Sequence, residues 1–311
     1  MRLPSSGTAD DRQSSQWVSK ASRDAIRHFM WGIGDNNPRG LDPGSAAAVR
    51  HGGIVAPGCF LYAVDNTIPH GSNGSLLSCR WTWFEPIRCD DDIRAEPGPG
   101  PDPGKTRTTF RVGSRLVAQV DTDVHAGSGA PPQAEPYRYS PEELRSIEEA
   151  VLAEEPDWSA ERQWRDVSVG QSVGTLTKGP LSIIDTIAWL SATQPAASGG
   201  PEDSAWSLGG YRDPGPQRTS WAGQLLENWM GRDGFLHRLA VEPVAPIDIG
   251  DTVVWSGTVD SVRAEADLGL VGVELVAVDQ EATVVSRGSA VVVLPIEPGG
   301  RISFPLARVD P

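Results

Sequence analysis

The stretch Gly34-Asp-Asn-Asn-Pro-Arg-Gly40 brings a carboxylate, two carboxamides and a proline close together. Asp35 is a candidate general base, a task that a carboxylate performs near neutral pH only when burial raises its proton affinity. The same residues are good turn formers, because Asp and Asn side chains bond to nearby backbone amides. His51 follows just before Gly52-Gly53. It could fold back beside Asp35 or lie solvated in a loop. Gly58 and Cys59 open an apolar segment, and free amides at a helix start suit an anion that develops during a reaction. The Cys59 thiol itself reads as core, since no histidine is adjacent in sequence to organise a nucleophile. Further on, Gly215-Pro-Gln-Arg-Thr-Ser-Trp221 opens another helix. Arg218 can hold a pyrophosphate or carboxylate through paired donors, or it can lie buried against Asp213 or Asp233 as an ion pair. Asn228 and Trp229 sit at helical spacing from Trp221 and Leu225 and read as packing. The sequence holds no P-loop, no GxGxxG dinucleotide fingerprint, no GxSxG elbow and no His/Cys metal cluster, so neither a metal nor a cofactor is expected.

These residues need elements to position them. Ser22 caps a helix with Ala25, Ile26, Phe29, Met30 and Ile33 on one face, and Pro38 and Gly40 prevent its continuation. Residues 52–64 predict a buried helix entered through a tight turn. Strand signals follow at 76–84, 93–96 and twice within 106–124, with Pro97 to Pro103 expected as a turn. Residues 126–140 form a Gly/Pro/Ser-rich linker, and Ser140-Pro-Glu-Glu143 starts a helix. The second half repeats the order. A strand is expected to open at 166–170, helices at 181–193 and 219–230, and three strands at 252–264, 270–278 and 283–294.

The chain has 311 residues, which suggests two domains, and its 39% hydrophobic and 22% charged residues support a packed core. A net charge of −14 argues against nucleic acid and anionic membranes as partners. No apolar run is long enough for a transmembrane helix, and the polar, acidic start does not resemble a secretory signal. Cys59, Cys79 and Cys89 lack metal-ligand spacing and cannot all pair, so reduced thiols in a cytoplasmic protein are expected. Residues 1–19 read as a disordered lead.

An internal repeat supports duplication. Pro86-Ile-Arg-Cys-Asp-Asp-Asp-Ile93 and Pro246-Ile-Asp-Ile-Gly-Asp-Thr-Val253 share one frame, each after the helical segment of its half. At this point the chain resembles the MaoC-like acyl-thioester hydratases and dehydratases. The first half carries FMWGIGDNNP (29–38), GGIVAPGCFL (52–61) and WTWFEPIRCDDDIR (81–94). The second carries TKGPLSIIDTIAWLSAT (177–193), GPQRTSWAGQLLENWMGRDGFLHRL (215–239) and IDIGDTVVWSGTV (247–259).

The resemblance implies an α+β double hotdog fold, two central helices each wrapped by an antiparallel sheet. The hotdogs would span 20–125 and 165–311, joined by 126–164. It implies interconversion of 2-enoyl and 3-hydroxyacyl thioesters of coenzyme A or a carrier protein. Asp35 and Asn37 match the family's catalytic Asp and Asn, and Pro38 its proline. The family's histidine falls on Gly40, so the acid–base pair is incomplete. Gly58 and Cys59 would supply the oxyanion amide, with His51, Gln217, Arg218 and Trp221 as substrate-binding candidates. The second half has neither Asp nor His at the equivalent place and would shape the acyl tunnel. The missing histidine keeps two alternatives open: a degenerate subunit that binds acyl chains for an active partner hotdog, or a specialised enzyme of secondary metabolism. A partner hotdog or a homodimer is the expected assembly.

Overall fold

The computed structural model describes residues 18–65, 76–125, 135–193, 213, 215–265 and 267–306. Most of the expected lead, the first part of the linker and the stretch after residue 193 lie outside these residues. Helix α1 (Arg23–Gly32) starts as anticipated, with the Ser22 hydroxyl accepting from Ala25 N–H at 3.1 Å and Ile26, Phe29 and Met30 fully buried. Short helices α2 (Pro38–Leu41) and α3 (Ala46–His51) follow. A 3₁₀ turn (Gly58–Phe60) then leads into α4 (Leu61–Val64). Strands β1 (Leu76–Trp83), β2 (Ile93–Pro99), β3 (Thr106–Val112) and β4 (Arg115–His125) complete the first half. Helix α5 (Pro141–Leu152) begins with a reciprocal capping box between Ser140 and Glu143 and buries none of its residues. The second half comprises β5 (Ser172–Lys178), α6 (Ile183–Thr193), α7 (Pro216–Trp229), β6 (Phe235–Pro243), β7 (Val253–Glu265), β8 (Leu268–Val278) and β9 (Val284–Pro295).

All nine of these strands form one sheet in the order β2-β3-β4-β1-β6-β9-β8-β7-β5, antiparallel throughout. The halves join where β1 pairs with β6, from Cys79↔Val241 to Thr82↔Arg238. This is the double hotdog architecture. Its two halves merge into one surface, so that neither exposes β1 or β6 as an edge. Helix α7 packs against β1, β5, β6 and β7, and every residue from Pro216 to Glu227 is buried. Helices α1 and α6 pack on each other. The aromatic core includes Trp81, Trp83, Trp189, Trp221 and Trp255, with Trp81 and Trp83 stacked at 5.3 Å.

The repeated octapeptides adopt one turn. Arg88 N–H donates to Asp91 Oδ2 and Asp248 N–H to Asp251 Oδ2, both at 2.8 Å. Asp90 and Gly250 occupy the matching left-handed position, with φ of 72° and 99°. The Ile87 and Ile247 carbonyls accept from Ala56 and Asp213, each just ahead of its half's central helical segment.

Three expectations change. Pro97 to Pro99 continue β2 instead of turning, which the edge position of β2 permits because a proline there removes no ladder bond inside the sheet. No strand opens at 166–170: a 3₁₀ turn at Trp164–Asp166 precedes Gly170 at φ 86°, and the strand begins at Ser172. Strand β6 was not anticipated. A register shift between Leu236 and Arg238 puts Phe235, Leu236 and His237 all in the interior, which breaks the alternation that marks a strand.

Candidate active site

Asp35 ends the loop after α1, where Asp35 N–H still reaches back to the Met30 carbonyl at 2.8 Å. Its side chain is 1% exposed. Asp35 Oδ1 accepts from Asn37 N–H at 2.9 Å, and Asn37 Oδ1 in turn accepts from Arg39 N–H at 3.0 Å, capping α2. The turn reading of this stretch is therefore realised, and the same bonds fix the orientation of the Asp35 carboxylate. Asp35 Oδ2 is buried and has no hydrogen-bond partner among the described residues. Burial pushes the Asp35 pKa up to about 6, against the opposing pull of the Asn37 amide and the Lys178 ammonium.

The second half closes over this loop. Gln224 Nε2 of α7 donates to the Gly34 carbonyl at 3.1 Å, and Asn37 Nδ2 donates to the Glu227 carbonyl at 3.5 Å. Lys178, at the end of β5, donates to the Ile33 and Gly34 carbonyls at 2.7 and 3.1 Å. Burial lowers the Lys178 pKa to about 8, although Asp35, Glu154 and Asp185 favour its charge.

The Gly58 amide donates to Glu227 Oε1 at 3.0 Å. Glu227 is 8% exposed, and burial raises its pKa to about 7 against the attraction of Arg39 and the Gly58 bond, with Asp35 adding repulsion. Gly58 must be glycine: an added Cβ would lie 2.7 Å from the Trp83 ring, whose Nε1 donates to the Gly58 carbonyl at 3.0 Å. The Cys59 thiol is buried near the Thr219 carbonyl and its pKa is pushed well up by burial and Glu227, so it stays neutral.

A side chain at Gly40 would need the Met30 thioether to move aside, because it fills the space that a Cβ would enter, and the Val55 carbonyl lies 3.3 Å from that position. His51 does not stand in for the absent imidazole by contact with Asp35. Its Nε2 accepts from the buried Arg39 guanidinium at 2.7 Å, and its other bond is to the Arg232 backbone. Burial and the neighbouring arginines 39, 88 and 50 lower its pKa to about 3, so the imidazole is neutral.

Arg218 lies elsewhere. It is fully buried, paired with Asp213, and donates to the Ala245 and Val285 carbonyls at 3.0 Å each and to Ser286 Oγ at 3.2 Å. Gln217 lies beside Asp213, Asp185 and Ile247, and Trp221 is core. The structure therefore brings Asp35, Asn37 and Gly58 together, with Cys59 next in chain, and puts His51 behind Arg39. Four residues of the site escaped sequence reading: Lys178, Gln224, Glu227 and Arg39. One signal was available for two of them. Glu227 is the only acidic residue in α7, and it stands one turn from Gln224 in a helix otherwise suited to burial. Among the described residues no group of three or more His, Cys, Asp or Glu is placed to hold a metal ion, and no helix is long and apolar enough to cross a membrane.

No protein-family model matches the sequence, and no curated protein matches it. Solved structures do. A MaoC-like dehydratase superposes with a TM-score of 0.61 at 16% identity, covering 89% of this chain and 94% of that one. A putative MaoC domain protein dehydratase from Chloroflexus aurantiacus J-10-fl gives 0.56 at 12% identity, over 93% and 100%. The chain thus has the double hotdog fold of the MaoC-like dehydratases along nearly its whole length. At identities this low the likeness is one of fold, and the chemistry has to be argued from the site.

Proposed function

We propose that this chain is a hydratase or dehydratase that interconverts 2-enoyl and 3-hydroxyacyl thioesters of coenzyme A or a carrier protein. The observation that carries this reading is Asp35: a buried carboxylate with one oxygen held by Asn37, the other without a partner among the described residues, and a pKa near 6. Such a group is ionised at neutral pH and basic enough to take a proton from water as the oxygen attacks C3. Asn37 orients it, and Lys178 favours its charged form. In this reading the Cys59 backbone amide binds the thioester oxygen as it gains charge. The catalytic loop belongs to the first half and its covering helix to the second, which supports a role for both halves in one site.

A second reading is favoured by two observations together: the Gly58 amide already holds a carboxylate, and the space beside Gly40 is taken by the Met30 thioether. Both suit a subunit that binds acyl chains for an active partner hotdog. One experiment separates the readings. Purified protein is assayed by mass spectrometry on short, long and carrier-bound enoyl thioesters, with Asp35→Asn alongside. Turnover by the wild type, lost in Asp35→Asn, supports the enzyme. Turnover only after an active partner hotdog is added supports the binding subunit.

A further inference from the structure

We propose that Glu227 is the second catalytic carboxyl of this site and performs the proton transfer for which the Asp35 loop offers no histidine. The inference rests on the hydratase reading above. Its support is geometric. Glu227 comes from α7, across the junction of the halves, and one residue holds both partners of the cleft: its backbone carbonyl takes Asn37 Nδ2 and its carboxylate takes Gly58 N–H. The loop that carries Asp35 is therefore clamped to the residue that would share its proton. Two polar atoms on side chains more than nine-tenths buried have no partner among the described residues and flank this place, Asp35 Oδ2 and Gln224 Oε1, and both could accept from a water or a substrate hydroxyl. Of the other donors near the loop, His51 is bonded to Arg39 and neutral, Cys59 is a neutral thiol, and the Lys178 ammonium is bonded to the Ile33 and Gly34 carbonyls.

The proton count closes. In hydration, Asp35 takes one proton from water while the oxygen bonds to C3. The protonated Glu227 gives its proton to C2, forming the C–H bond and leaving a carboxylate. The proton on Asp35 then passes to Glu227, which restores both groups. Dehydration runs the same steps backwards. The charged and titratable groups facing the pair are Arg39 from α2 and Lys178 from β5, with Glu154 and Asp185 beyond Lys178 and Asp233 beyond Arg39. The burial that raises Glu227 to about 7 and Asp35 to about 6 orders their roles, the lower as base and the higher as acid.

The test is the pH–rate profile of wild type, Glu227→Gln and Glu227→Asp on an enoyl thioester that the wild type turns over. Gln keeps an oxygen for the Gly58 amide and loses only the proton. The expected result is a narrow bell for the wild type between about pH 6 and 7, reporting the pair as a unit. In Glu227→Gln, kcat should fall by about 10²–10⁴ with the alkaline limb gone, and Glu227→Asp should regain part of the rate. An unchanged kcat with the alkaline limb intact in Glu227→Gln overturns the inference while leaving the hydratase reading standing. So does a loss of rate that follows a lowered melting temperature with no change in profile shape. If Glu227→Gln does not fold, a wild-type profile without an alkaline limb below pH 8 overturns it. No turnover by the wild type on any enoyl thioester refutes the hydratase reading itself, and the inference with it.

Discussion

The Met30 thioether occupies the space into which a side chain at Gly40 would project. Met30 is fully buried in α1, and Gly40 is buried in α2. A side chain at position 40 therefore has to displace the end of the Met30 side chain. Gly40→His alone should lower stability by about 1–3 kcal/mol through overpacking, with no gain in hydration rate. Pairing it with Met30→Ala should recover part of that stability, since contacting residues couple. Thermal melts of the two single variants and the double variant measure this. Strict additivity would mean that Met30 is not what closes the position.

Buried carboxylates set a pH trend. Asp35 and Glu227 have folded pKa values raised from 3.8 and 4.5 to about 6 and 7. Their contribution to stability is complete below about pH 4 and is lost as pH rises through 6 and 7. His51 and His237 are lowered from 6.5 to about 3 and 4, so theirs is complete above about pH 6.5 and is lost as pH falls through 4 and 3. Replacing Glu227 with Gln removes one alkaline loss. Relative to wild type, the variant should gain on the order of 2–3 kcal/mol between pH 4 and pH 8, read from urea melts at each pH.

Arg218 and Asp213 form a buried ion pair whose guanidinium also ties two backbone carbonyls. Asp213→Ala leaves an uncompensated buried charge and should cost about 3–5 kcal/mol. The readout is the urea midpoint. A loss below about 1 kcal/mol would show that the pair contributes little to the fold.

Thiol reactivity should divide the cysteines. Cys59 and Cys79 are buried, with burial pushing Cys79 up to about 12 and Cys59 well above its ordinary range. Cys89 is half-buried, and burial with Asp90 beside it raises its pKa too. Native protein at pH 8 should show a single slow reaction with an aromatic disulfide reagent, and unfolded protein should show three fast ones.

Local signals in the sequence determined much of this protein. The Ser22 cap, the apolar face of α1, the Ser140 capping box and the turn around Asp35 each depend on side chains within a few residues of the backbone they bond. The repeated octapeptides were legible for the same reason, and they form the same turn. What remained hidden depends on contacts between distant parts of the chain. Strand β6, which joins the halves, was masked by a bulge at His237 that cancels its alternation. Arg218 reads in sequence as either a ligand contact or an ion pair, and the fold sets Asp213 beside it. The sequence reading did not single out Glu227, and only the folding of α7 over a loop 190 residues earlier put it against Asn37 and Gly58. Residue type and spacing encode hydrogen bonds within a turn. The desolvation that raises the proton affinity of Asp35 and Glu227 comes from the two halves closing on each other, and only the tertiary structure decides that.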